Sequence, residues 1–134
     1  MLCANYILSN RSEWTFYFLS SVQFNFTISE NNLFNFLSEF IATFMFVFCL
    51  LNLGNFTQGL KPLIVGLLIM VIGQALGATT GFALNPARDW APRLAYTILP
   101  VPNKSSANWS YAWVPMCGPI AGGILAAFVE RLIL

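Results

Sequence analysis

Histidine is absent from these 134 residues, and charge is scarce: six Lys plus Arg and five Asp plus Glu make up 8% of the chain. The first absence removes the commonest general base and the commonest metal ligand. The second excludes an ordinary soluble domain, because so few charges cannot coat a globule of this size in water. A net charge of +1, with the cations scattered, leaves no basic stripe for tracking phosphates, which argues against nucleic acid as a partner. The three cysteines, Cys3, Cys49 and Cys117, lie too far apart for a zinc knuckle, so no metal and no cofactor is expected. Residues 1–18 lack a basic start followed by a small-residue cleavage site and make a poor signal peptide. What remains is 57% hydrophobic sequence, for which a lipid bilayer is the fitting solvent.

No charge falls between Glu39 and Lys61, between Lys61 and Arg88, or between Lys104 and Glu130. Each interval can hold the roughly 20 residues that cross a hydrocarbon core. Spanning helices are predicted at about 33–53, 61–78 and 111–131. The middle interval is too long for one helix. Gly77, the Thr79-Thr80-Gly81 run and Pro86 predict a helix that stops near Gly77, irregular backbone, and a restart. Asn85 suits the cap of the new helix and Pro86 its first position. That helix, at about 86–98, must end before Pro100 and reaches only half-way across a membrane, with Pro92 expected to disturb it. Irregular backbone at membrane depth implies burial in protein or a watery cavity.

Asn35, Glu39 and Thr43 are four apart and form a polar line facing a helix bundle. Glu39 has two readings: it snorkels to the interface, or it accepts hydrogen bonds from the irregular backbone of the break. Arg88 opposes the dipole in the first turn of its helix, whereas Asp89 suits it, so Arg88 is assigned to a ligand. The structural alternative is an ion pair of Arg88 with Asp89 or Glu39. Gly66, Gly73 and Gly77 share a face of the second span, and Gly118, Gly122 and Ala126 recur at intervals of four in the third, the small-residue pattern of packed membrane helices. Packing explains these glycines, Gly73 excepted. Trp14, Trp90, Trp109 and Trp113 are placed in loops or near interfaces as anchors. The sequons at Asn10, Asn25, Asn55, Asn103 and Asn108 read mostly as chance in an Asn-rich chain.

The stretch GLKPLIVGLLIMVIGQALGATTGFALNPARDWAPRLA from Gly59 to Ala95, with Val114-Pro115 and Gly118-Pro119 after it, resembles the fifth span and re-entrant segment of the major intrinsic protein family. The likeness is strongest to the glycerol facilitators, or aquaglyceroporins. Residues 36–46 are similar to the family's fourth span and 111–132 to its sixth, so the resemblance covers roughly 26–134. Residues 1–30 read as the remnant of a loop, and 31–134 as the C-terminal half of an aquaporin-like channel.

The resemblance implies an all-α membrane protein with three transmembrane helices plus one re-entrant NPA half-helix, half of an inverted-repeat fold. It implies a passive channel for glycerol, other small polyols and water, and no enzyme. The Asn85 amide would donate to passing hydroxyls, Arg88 would offer its fork at the narrowest point, and Phe82 would lie against substrate carbons. Gly73 would leave width for glycerol. Carbonyls of Gly81, Phe82 and Ala83 would form a ladder of acceptors held by Glu39, with Thr43, Pro86 and Ala87 in support. Asp89, Arg93, Pro115 and Met116 fit the polyol-conducting pattern, although Met116 replaces the usual Leu.

No second NPA, no first three spans and no aromatic filter residue from the other half are found. The chain is therefore expected to be inactive alone and to need a complementary N-terminal half, with tetramers and a multi-pass place in the plasma membrane implied by the family. Lys61 and Arg131 against Arg11, Arg93 and Lys104 give no orientation by the positive-inside rule. The competing reading is a truncated or pseudogene fragment that acts, if at all, as an interaction partner of a separate first half or a full-length channel. An intramembrane enzyme using Glu39 and Asp89 lacks a nucleophile constellation.

Overall fold

The computed structural model describes residues 31–56, 59–77, 79–100 and 106–133. The loop assigned to 1–30, the sequons at Asn10, Asn25 and Asn103, and Trp14 lie outside the described residues. Among the described residues every regular element is helical: α1 (Asn32–Leu51), α2 (Leu60–Leu76), α3 (Pro86–Ile98) and α4 (Trp113–Ile133).

Each helix boundary has a local cause. Asn31 caps α1, its Oδ1 accepting from the Leu33 amide at 2.9 Å. At the other end the Asn52 side chain donates to the Phe48 carbonyl at 2.9 Å, alongside the Asn52 backbone amide at 3.2 Å. Gly59 enters α2 with φ 89, a left-handed conformation that glycine adopts without a Cβ penalty. Asn85 caps α3 by accepting from the Ala87 amide at 2.9 Å, and Pro86 takes the first position. The third span was expected from Tyr111. Successive turn bonds, from Tyr111 to Asn108 and from Ala112 to Trp109, delay the helix to Trp113.

Helices α1 and α4, with 20 and 21 residues, are long and apolar enough to cross a membrane; α2 is apolar but has 17. The core is the seam between α1 and α4. A Cβ on Gly118 would lie 2.9 Å from the Glu39 Cβ, and one on Gly122 would lie 2.3 Å from the Phe40 carbonyl oxygen. These glycines let the two backbones meet. The contacts advance in step, Phe36 with Trp113, Phe40 with Gly122, Val47 with Gly123, so α1 and α4 run parallel. Gly66 has nothing within 4 Å and packs no described neighbour, unlike the expectation for it.

Helix α3 covers Pro86–Ile98, the range expected for it, with Pro92 inside. Trp90 lies in α3 and donates to the Ala112 carbonyl, and Trp113 opens α4 with its ring stacked on Phe36. Large apolar side chains such as Leu63, Met70, Val71 and Phe128 are exposed, which suits a lipid-facing surface.

Candidate pore-lining site

Between α2 and α3 the chain abandons regular structure. The Gly77 amide returns to the Gly73 carbonyl and the Gly81 amide to the Gly77 carbonyl. Gly81, Phe82 and Leu84 then take φ values of 77, 66 and 52. For Phe82 and Leu84 the left-handed region costs about 1–2 kcal/mol each.

Glu39 offsets that strain. It is 1% exposed, and its carboxylate accepts from the Ala83 amide at 3.0 Å, the Leu84 amide at 2.8 Å and the Thr80 hydroxyl at 2.5 Å. Hydrogen bonds to a charged group are worth about 1.5–3 kcal/mol each, enough together to hold two left-handed residues. Of the two readings of Glu39, snorkelling is excluded by its burial and acceptance from the break is observed. Asn35 and Thr43, one turn to either side, are also buried, and the Thr43 hydroxyl has no hydrogen-bond partner among the described residues.

Phe82, Gly73 and Arg88 form one stack. A Cβ on Gly73 would stand 3.1 Å from the Phe82 Cε1, so the ring packs against the bare backbone of Gly73. The Arg88 guanidinium carbon lies 5.6 Å from the centre of the same ring, a cation–π distance. Both ion-pair partners weighed for Arg88 are engaged elsewhere: Glu39 with the break, Asp89 with Arg93. Arg88 and Asn85 are exposed. Because the Asn85 oxygen is spent on the Ala87 amide, its NH2 is the group left to donate outward.

Asp89 and Arg93 form a buried pair. Arg93 reaches Asp89 through Nε and, at 2.8 Å, through Nη2. Its Nη1 donates to the carbonyls of Ala107 at 2.6 Å and Asn108 at 3.0 Å, while the Tyr111 ring lies 5.7 Å from the guanidinium carbon. Pro115 is buried in the first turn of α4, where a missing N–H costs nothing. Among the described residues no cluster of His, Cys, Asp and Glu could hold a metal ion.

The sequence reading missed Thr80, although a Thr-Thr pair inside an apolar interval was the available signal. It also missed Ala107 and Asn108, whose carbonyls accept from Arg93 and leave no trace in residue type.

The profile of the family described as Major intrinsic protein matches residues 8–130, starting earlier than the resemblance read from the motifs. The chain is 79% identical to Glycerol uptake facilitator protein 2 of Lactiplantibacillus plantarum over 104 residues, which are 78% of this chain and 44% of that protein. It is 59% identical to the Glycerol uptake facilitator protein of Bacillus subtilis over 91 residues, 66% of this chain and 33% of that one. A D/L-lactic acid transporter of Lactiplantibacillus plantarum is 44% identical over 96 residues, 70% of this chain and 40% of that protein. No solved structure matches. The chain spans less than half the length of the curated relatives it matches. A profile matching nearly the whole length, on a helical, apolar chain with this Glu39-bound break, settles the family: the chain is an integral membrane protein of the major intrinsic protein family.

Proposed function

We propose that this chain is the C-terminal half of a passive channel for glycerol, other small polyols and water. The observation that carries the reading is the segment 77–85, bound to Glu39 on one side and leading on the other to the exposed Asn85 amide and the Arg88 guanidinium over Phe82. Such an arrangement offers hydroxyl groups a donor, a fork of donors and an apolar wall in succession. Carbonyls of Gly81, Phe82 and Ala83 serve as the acceptors. A solute exchanges water for each in turn, bound weakly enough to leave. The N-terminal end of α3 adds a positive field that opposes cations and protons.

The parallel course of α1 and α4 supports a re-entrant α3. If α1 crosses the bilayer one way, α2 must cross back, and for α4 to repeat the direction of α1 the segment 77–112 must leave on the side it entered. A 13-residue helix, about 20 Å long, fits a dip to the midplane.

Alone, the chain leaves Asn85 and Arg88 uncovered in lipid, where unsatisfied polar groups are costly. The complete pore therefore takes a complementary N-terminal half, in a multi-pass plasma-membrane assembly that the family likeness makes tetrameric. Glycerol uptake by proteoliposomes tests this. The chain alone should match empty vesicles, and uptake should appear when an N-terminal half from a glycerol facilitator is reconstituted with it and vanish with Arg88→Ala. Uptake by the chain alone, abolished by Arg88→Ala, would refute the need for a partner; no uptake in either case would refute the channel reading.

A further inference from the structure

Pro92 sits inside α3, where it has no N–H to return to the Arg88 carbonyl four residues back. The turn that carries Arg88 therefore lacks one of its backbone bonds, yet the helix continues past it to Ile98. The Asp89–Arg93 pair spans that same turn, four residues apart, with Asp89 4% and Arg93 2% exposed. Burying two charges is expensive, and a simple apolar pair would hold a helix turn as well or better, so stability alone does not account for it.

The pair does more than bridge the turn. Arg93 also donates to the Ala107 and Asn108 carbonyls, and on the same face of α3 Trp90 donates to the Ala112 carbonyl, while Thr97 accepts from the Trp109 indole. Residues 90, 93 and 97 share one helix face at spacings of three and four. They fasten α3 to residues 107–112, which lead directly into α4. Arg88 is about 100° round the helix from Asp89, so it cannot join this fastening and keeps its guanidinium over Phe82.

We propose that Asp89 and Arg93 are positioning residues for Arg88: their buried pair closes the turn that Pro92 leaves open and ties it to the 107–108 backbone, fixing the guanidinium over the Phe82 ring. The proposal rests on the channel reading only for what Arg88 does there. Its place can be measured whether or not the chain conducts.

The test is the NMR signal of the Arg88 δ-methylene protons in the full chain, labelled in arginine and held in bilayer nanodiscs. Arg88→Lys assigns the signal, and Phe82→Leu gives its position without the ring. Asp89→Asn and Arg93→Lys should each remove most of the ring-induced displacement while the Leu84 amide, bound by Glu39, stays protected from exchange. Adding Pro92→Ala, which restores the backbone bond, should bring the displacement back in either variant. A purely structural role for the pair predicts no such rescue. The proposal fails if the displacement survives both single variants, or if Pro92→Ala restores nothing. It fails also if both variants lose Leu84 protection, because the pair would then hold the break itself rather than the place of Arg88.

Discussion

The Glu39 carboxylate and the Leu84 amide meet at 2.8 Å although 45 positions separate them in the chain. A buried side chain on one helix thus dictates the backbone of a segment that belongs to no helix. Replacing Glu39 with Gln keeps the shape but turns part of the acceptor into a donor facing backbone N–H groups. We expect a loss of about 2–3 kcal/mol, the worth of one or two charge-assisted hydrogen bonds. Detergent-induced unfolding followed by tryptophan fluorescence would measure it. Faster exchange at the Ala83 and Leu84 amides should accompany it, and an unchanged unfolding midpoint would show that the break holds its shape by other means.

The α1–α4 seam makes a second prediction, because two glycines of similar appearance in sequence have opposite surroundings. A methyl group at Gly122 would strike the Phe40 carbonyl at 2.3 Å, whereas one at Gly66 meets nothing within 4 Å. Gly122→Ala should force the helices apart and cost about 1–3 kcal/mol, as overpacking does. Gly66→Ala should be neutral or stabilising by about 0.5–1 kcal/mol, the helix-propensity difference. The two variants in the same unfolding assay give opposite signs, and equal effects would contradict the seam.

Much of this site could be read before any coordinates. Asn85 before Pro86 announces a capped helix start, and Glu39 four residues from Asn35 and Thr43 announces a buried polar line, because both follow from helix geometry and the cost of burying polar groups. The rest depends on backbone. Arg93 ends on two carbonyl oxygens, which any residue at 107 and 108 would supply, so no side chain pointed to them. The Phe82 ring meets Gly73 from a residue in a left-handed conformation, which nothing in a phenylalanine foretells. Pro92 was expected to disturb α3, and the helix nevertheless continues to Ile98.

The ring against Gly73 also yields a prediction about selectivity in a channel completed by an N-terminal half. Gly73→Val would push the Phe82 ring from its seat and with it the face on which the Arg88 guanidinium rests. Glycerol uptake should fall several-fold more than water uptake, since water needs neither the apolar wall nor the full fork. A preference shift of about tenfold corresponds to roughly 1.4 kcal/mol between the two barriers. Stopped-flow light scattering with each solute reads the ratio, and equal losses of both would place Gly73 outside the narrow part of the path.

The sidedness of the loops decides whether α3 dips and returns. Asn32 opens α1, Asn55 lies between α1 and α2, and Ser106 precedes α4; all three are exposed. With Cys3, Cys49 and Cys117 replaced by Ala, single cysteines at these positions can be labelled by a membrane-impermeant thiol reagent in sealed vesicles. Parallel α1 and α4 require positions 32 and 106 to face the same compartment, because both stand at the beginnings of helices that run the same way. Position 55 must then face the other. The comparison survives mixed insertion: whatever fraction of molecules points each way, the labelled fractions at 32 and 106 should agree and that at 55 should be their complement. A fourth full crossing by residues 77–112 would instead make position 106 agree with 55. That result would remove the half-helix, and with it the reason for Asn85 and Arg88 to meet a solute at the midplane.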